Sequence, residues 1–192
     1  MKRKTNKLYY FLKCIFKTLM HVLYKPTIIG KENIPKEGAI IFAGNHRHAF
    51  DPLLILMSNK RMIHYLAKEE LFKGLSGKIL NKIGMIKVSR DKSNSVAIEQ
   101  SEEILKNGGI IGIFPEGTRN RTNEPLLEFK YGTVSMAKKT GTIIIPFAIR
   151  GKYKLFRKGL ALEYGAPLDV AEMEIEEANT RLRAEVLNLI GK

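Results

Sequence analysis

Three short, strongly apolar runs constrain this chain more than any other feature: residues 39–43 (AIIFA), 110–114 (IIGIF) and 143–149 (IIIPFAI). Runs so brief and so uniformly apolar suit strands buried on both faces, the condition of strands in a parallel sheet covered by helices. Weaker runs of strand composition lie at 27–29, 62–66, 85–88 and 160–164. Longer stretches of helical character separate them, at 52–58, at 69–82 with a break near Gly74, and at 94–106, 131–140 and 171–189. Strands alternating with helices predict an α/β fold, a single layered domain with a largely parallel mixed sheet flanked by helices. Pro146 has no N–H for a ladder, so it predicts an edge strand or a bulge in the third run. At 192 residues without repeats or a linker, one domain accounts for the chain from residue 26 to 192.

Residues 1–25 differ in kind. They hold seven basic side chains and no acid, and 8–24 (LYYFLKCIFKTLMHVLY) is mostly apolar. Lys13, Lys17 and His21 recur every four residues, so a helix aligns them as one stripe. The stretch is too short and too interrupted by lysine for a transmembrane span, and no small-residue cleavage site follows it as in a signal peptide. It reads as an amphipathic helix in the membrane interface, its stripe toward headgroup phosphates, with packing on the rest of the domain as the alternative.

The whole chain carries a net charge of +14. Residues 1–162 hold 30 basic and 12 acidic side chains, against 3 and 7 in 163–192. Such a surface expects anionic partners: anionic lipid, an acidic carrier protein or nucleic acid. The single cysteine, Cys14, excludes an internal disulfide and cannot form a zinc site alone.

Ligand sites of open α/β sheets form in the loops beyond the carboxyl ends of strands. Two such loops are dense in polar residues, 44–52 (GNHRHAFDP) after the first run and 115–125 (PEGTRNRTNEP) after the second. In the first, His46 can accept a proton from an alcohol, and Asp51 can orient the ring and stabilise its cation if the loop folds back. Asp51 also precedes Pro52, the pattern of an N-cap with proline at N1, and the two roles are compatible. In the second, a glycine turn with Thr118, Arg119 and nearby backbone N–H groups suits a phosphate.

NHRHAFD (45–51), GMIKVSR (84–90), FPEGTR (114–119) and IIIPFAI (143–149) resemble, in order, the four blocks of the glycerolipid acyltransferases of the bacterial 1-acylglycerol-3-phosphate acyltransferase type. The resemblance spans residues 26–165. It implies His46 as the general base and Asp51 as its partner. It further implies that Arg90, Glu116, Gly117 and Arg119 bind the glycerol phosphate beside Thr118 of the turn, with Lys130 as a further phosphate contact and Pro146 in the wall of the site. The family often has a small hydroxyl residue where this chain has His48, which leaves His48 as a rival base.

The implied reaction moves a fatty acyl group from acyl-CoA or acyl-ACP to the free hydroxyl of 1-acylglycerol 3-phosphate, giving phosphatidic acid. The thioester is a co-substrate, and no metal or other cofactor is expected. Expected partners are the lysophospholipid acceptor, the acyl donor and an anionic membrane surface, at the cytoplasmic face of the cell membrane and peripheral or monotopic. Glycerol 3-phosphate or another lysolipid is the rival acceptor. Hydrolysis of the thioester is a rival reaction for the same histidine. A non-enzymatic basic module for membrane or nucleic acid is the rival of another class, but no helix-turn-helix, zinc or stacking-aromatic pattern supports nucleic acid.

Overall fold

Ile40 and Phe42 point to one side of their strand and Ile41 and Ala43 to the other, and all four are fully buried. Both faces of that strand therefore need cover. In the computed structural model, which describes residues 6–89 and 94–191, the cover is two layers of helices. On one face Met20, Tyr24, Leu54, Ile55 and Met57 pack against Ile40, Phe42, Ile145 and Phe147. On the other, Ala97, Leu105, Val134, Ala178, Leu182 and Val186 pack against Ile41, Ala43, Ile111 and Ile144.

The strands are β1 (Thr27–Ile29), β2 (Ile40–Gly44), β3 (His64–Lys68), β4 (Ile86–Val88), β5 (Ile110–Ile113), β6 (Ile143–Arg150) and β7 (Ala161–Tyr164). They form one sheet of order β1-β7-β6-β2-β5-β3-β4. Every neighbouring pair is parallel except β6 with β7. Helices α1 (Lys7–Tyr24) and α2 (Asp51–Ser58) line the first face. Helices α4 (Ser95–Lys106), α5 (Gly132–Thr140) and α6 (Ile175–Gly191) line the second. A 3-10 turn, Glu69–Phe72, leads into α3 (Gly74–Lys82), so the predicted break near Gly74 is present. The last helix begins at Ile175 instead of residue 171.

Pro146 lies on an interior strand, which corrects the edge-strand option. It is tolerated because pairing is interrupted beside it. Ile144 exchanges hydrogen bonds with Leu168, pairing with β7 begins at Phe147, and between them Pro146 uses only its carbonyl, which accepts from Gly165 N–H at 2.8 Å.

The stripe on α1 is also corrected. Lys13 faces inward, donating to the Arg61 carbonyl at 3.2 Å near the rings of Tyr9 and Tyr10. Burial, with Lys17 adding repulsion, lowers its pKa to about 8. Tyr9, Met20 and Tyr24 share that inner side, while Phe11, Ile15, Leu19 and Val22 lie on the outside, Phe11 63% exposed. The helix is thus packed on the domain along one face and apolar along the opposite one. Among the described residues no helix is long and apolar enough to cross a membrane.

Candidate active site

β2 ends at Gly44, and the chain turns back on itself before α2 starts at Asp51. Asn45 holds the beginning of this turn. Its buried amide donates to the Ile149 carbonyl at 2.9 Å and accepts from the Ile149 N–H at 2.7 Å, extending β2 toward β6 through a side chain. Asp51, fully buried, holds the end. Its Oδ2 accepts from Arg47 N–H and His48 N–H, both at 2.7 Å, and from Nδ1 of His46 at 2.9 Å. The carboxylate therefore serves the loop, and Phe50 occupies the N-cap of α2 without a side-chain cap, which corrects the N-cap reading of Asp51.

With Asp51 as acceptor, the proton of a neutral His46 is assigned to Nδ1, leaving Nε2 as the basic atom. The His46 side chain is 18% exposed, so the ring keeps contact with solvent while Asp51 has none. Its ring stacks on Phe114 at 4.0 Å, and Phe114 meets Phe147 edge-on. His48 is engaged otherwise, stacking on Tyr153 at 4.2 Å and accepting the Phe50 N–H through Nδ1. The structure thus joins the ring of His46, and not that of His48, to the carboxylate.

The second loop clamps the main chain of His46 from both sides. Oε1 of Glu116 accepts the His46 N–H at 2.7 Å, and Asn120 N–H donates to the His46 carbonyl at 2.6 Å. The other oxygen of Glu116 accepts Leu127 N–H at 3.0 Å. Burial raises the pKa of Glu116, opposed by these two amides and by the nearby His46 and Arg47. Gly117 takes a left-handed φ of +66° that favours glycine, and a Cβ there would sit 2.9 Å from Cε of Lys130. The Lys130 side chain therefore lies directly over the glycine turn, and Gly117, Thr118, Arg119 and Lys130 are all exposed. Arg90 lies outside the described residues.

Sequence reasoning missed Tyr153. Its hydroxyl donates to Oδ1 of Asp51 at 2.6 Å, so both carboxylate oxygens are satisfied. Burial, the Asp51 charge and this hydrogen bond push the phenol pKa far up and keep it a donor. The ring meets Tyr24 of α1 edge-on at 5.4 Å, which ties the first helix to the site. No local pattern could reveal this, because Tyr153 is 102 residues from Asp51 in the chain.

A histidine–carboxylate pair thus stands beside a basic glycine turn at the carboxyl ends of β2 and β5, the edge where open α/β sheets hold their ligands. Residues 25–150, which include both loops, match the acyltransferase family, and the chain belongs to it. It is 36% identical over 155 residues to the 1-acyl-sn-glycerol-3-phosphate acyltransferase of Borreliella burgdorferi, spanning 79% of this chain and 62% of that protein, less than two thirds of its length. It is 32% identical over 189 residues to the Bacillus subtilis protein of the same name, spanning 94% of both. The fold resembles the crystal structure of the 1-acyl-sn-glycerophosphate (LPA) acyltransferase PlsC from Thermotoga maritima, with a TM-score of 0.76 over 98% of this chain and 83% of that one, at 24% identity.

Proposed function

We propose that this chain transfers a fatty acyl group from a thioester, acyl-CoA or acyl-ACP, to the free hydroxyl of 1-acylglycerol 3-phosphate, giving phosphatidic acid. The observation that carries this reading is the clamped His46–Asp51 pair with an exposed basic turn beside it. The names of the Borreliella and Bacillus relatives support the choice of acceptor.

In this reading Nε2 of His46 takes the proton of the acceptor hydroxyl as its oxygen attacks the thioester carbonyl. The tetrahedral intermediate collapses, the carbon–sulfur bond breaks, and the imidazolium returns the proton to the leaving thiolate. Asp51 stabilises the transient cation, and Tyr153 and two backbone amides hold Asp51 in place. The thioester is already activated, so the reaction needs no further cofactor. Arg119, Thr118, Lys130 and the Gly117 turn bind the acceptor phosphate, and Arg90 belongs to the same set by its place in the family pattern. Glu116 acts on His46 as a positioning residue, since both of its oxygens are already committed to backbone amides.

The outward strip Phe11, Ile15, Leu19 and Val22, with the exposed Lys17, His21 and Lys25 near it, supports α1 lying in an anionic membrane interface at the cytoplasmic face. That places the site where a single-chain lipid acceptor resides.

Arg119→Ala tests the phosphate assignment. The guanidinium can grip the acceptor phosphate with two charge-assisted hydrogen bonds and has no such group to grip on the acyl chain. Its removal is expected to raise the acceptor KM roughly 10- to 100-fold while the donor KM stays nearly constant. Equal rises for both substrates in steady-state assays would mean that the loop shapes the whole site and does not grip phosphate.

A further inference from the structure

The segment between β6 and β7, residues 151–159 (GKYKLFRKG), is a loop closed at its neck. Gly151 has φ +83°, and a Cβ there would lie 1.8 Å from the Gly159 carbonyl oxygen, so the two ends touch and only glycine fits. Between them the chain folds on itself, Lys154 N–H donating to the Lys152 carbonyl at 2.9 Å and Arg157 N–H to that of Lys154 at 3.3 Å. Phe156 adopts φ +57°, an uncommon conformation for a bulky residue, and its N–H donates to the carbonyl of Leu23 in α1. Phe156 is 63% exposed and Leu155 beside it 56%. Lys152, Lys154, Arg157 and Lys158 are exposed around them, the loop holds no acid, and among the described residues none of the four forms an ion pair.

We propose that loop 151–159 is a second seat on the membrane: Leu155 and Phe156 enter the interface of an anionic bilayer, and the four cations around them meet lipid phosphates. The assignment rests on the acyltransferase reading for its purpose, since a lipid acceptor must be drawn from a bilayer. A bilayer fits the tip better than a protein partner does. Two side chains bury far less than the roughly 1,200–2,000 Å² of a stable protein interface, whereas a membrane needs no shape complementarity and its charge is opposite to that of the loop. The hydrogen bond to Leu23 sets the tip against the last turn of α1, next to Val22 of its outward apolar strip, so helix and loop offer two points of contact that fix the tilt of the site. Tyr153, in the same loop, is bonded to Asp51, so the seat lies immediately beside the His46–Asp51 pair.

The test is partition of the full chain onto vesicles of phosphatidylglycerol and phosphatidylcholine, with no acceptor or donor present. The variant pairs Leu155→Ser with Phe156→Asn, asparagine being tolerant of the left-handed conformation. It is expected to bind about tenfold or more weakly, with an unchanged melting temperature. Val96→Ser, an equally exposed apolar site on α4 across the sheet, is expected to bind like the parent. Replacing Lys152, Lys154, Arg157 and Lys158 with glutamine should weaken binding by about fivefold per cation at low salt and flatten its salt dependence. Parental binding by both loop variants would overturn the proposal, as would a parental dimer that the loop substitutions dissociate in sedimentation. Because binding is read without substrates, a wild-type protein that bound through this loop and transferred no acyl group would count against the enzyme reading alone.

Discussion

Replacing His46 with alanine is expected to lower acyl transfer by about 10²–10⁴-fold, the usual worth of a positioned general base. His48→Ala removes a ring stacked on Tyr153 and an acceptor for the Phe50 N–H, but nothing joined to the carboxylate. Such a stack is worth about 0.5–1.5 kcal/mol, so activity should stay within about tenfold of the parent. The geometry separates the two imidazoles cleanly. Nδ1 of His46 is 2.9 Å from a carboxylate that has no exposed surface, and its backbone is gripped at both N–H and C=O by the neighbouring loop. Steady-state rates of the two variants, measured at saturating donor and acceptor, check this. A reversed order would move the base to His48.

Glu116→Gln is expected to reduce kcat by about a hundredfold, the effect of displacing a catalytic group by roughly an ångström. The buried Glu116 carboxylate accepts two backbone N–H groups, one on each oxygen. Glutamine has a single acceptor oxygen, so one amide must face an NH₂ donor, at a cost of about 1–3 kcal/mol. Either Leu127 loses its partner or His46 does, and the two loops separate. Thermal denaturation should show a melting temperature lower by several degrees. The kinetic signature distinguishes this from direct binding of phosphate by Glu116, which the family resemblance alone implies. An unsupported His46 lowers kcat, whereas removal of a phosphate ligand raises the acceptor KM with kcat unchanged.

The layered fold is legible because the central strands β2, β5 and β6 are apolar on both faces, and because β2 and β5 are followed by helical periods; the strand runs read from sequence lie within two residues of the seven strands at either end. The His46–Asp51 pair was readable because both members lie within one short loop. The direction of Lys13 is not legible in sequence, because a four-residue spacing says which side chains share a helix face, not which way that face points. The inward turn of Lys13 depends on the Arg61 carbonyl, 48 residues away. Glu116 likewise belongs to a contact across 70 residues, and Tyr153 to one across 102, so neither role has a local signature. Asn45 looked like part of a conspicuous block, yet its work is to stitch β2 to Ile149 at the floor of the site. Motif and period thus located the chemistry, and contacts distant in sequence supply what holds it rigid.

Mass spectrometry of the lipid formed by the purified chain in mixed micelles tests acyl transfer to 1-acylglycerol 3-phosphate. 1-Acylglycerol 3-phosphate, glycerol 3-phosphate and a lysophosphatidylcholine are each offered with acyl-CoA and with acyl-ACP. The expected product is phosphatidic acid carrying the donor's acyl chain, formed from 1-acylglycerol 3-phosphate in preference to the other two acceptors, and absent with His46→Ala. Free fatty acid released at the same rate with and without acceptor, or a preference for an acceptor lacking the phosphomonoester, would contradict it.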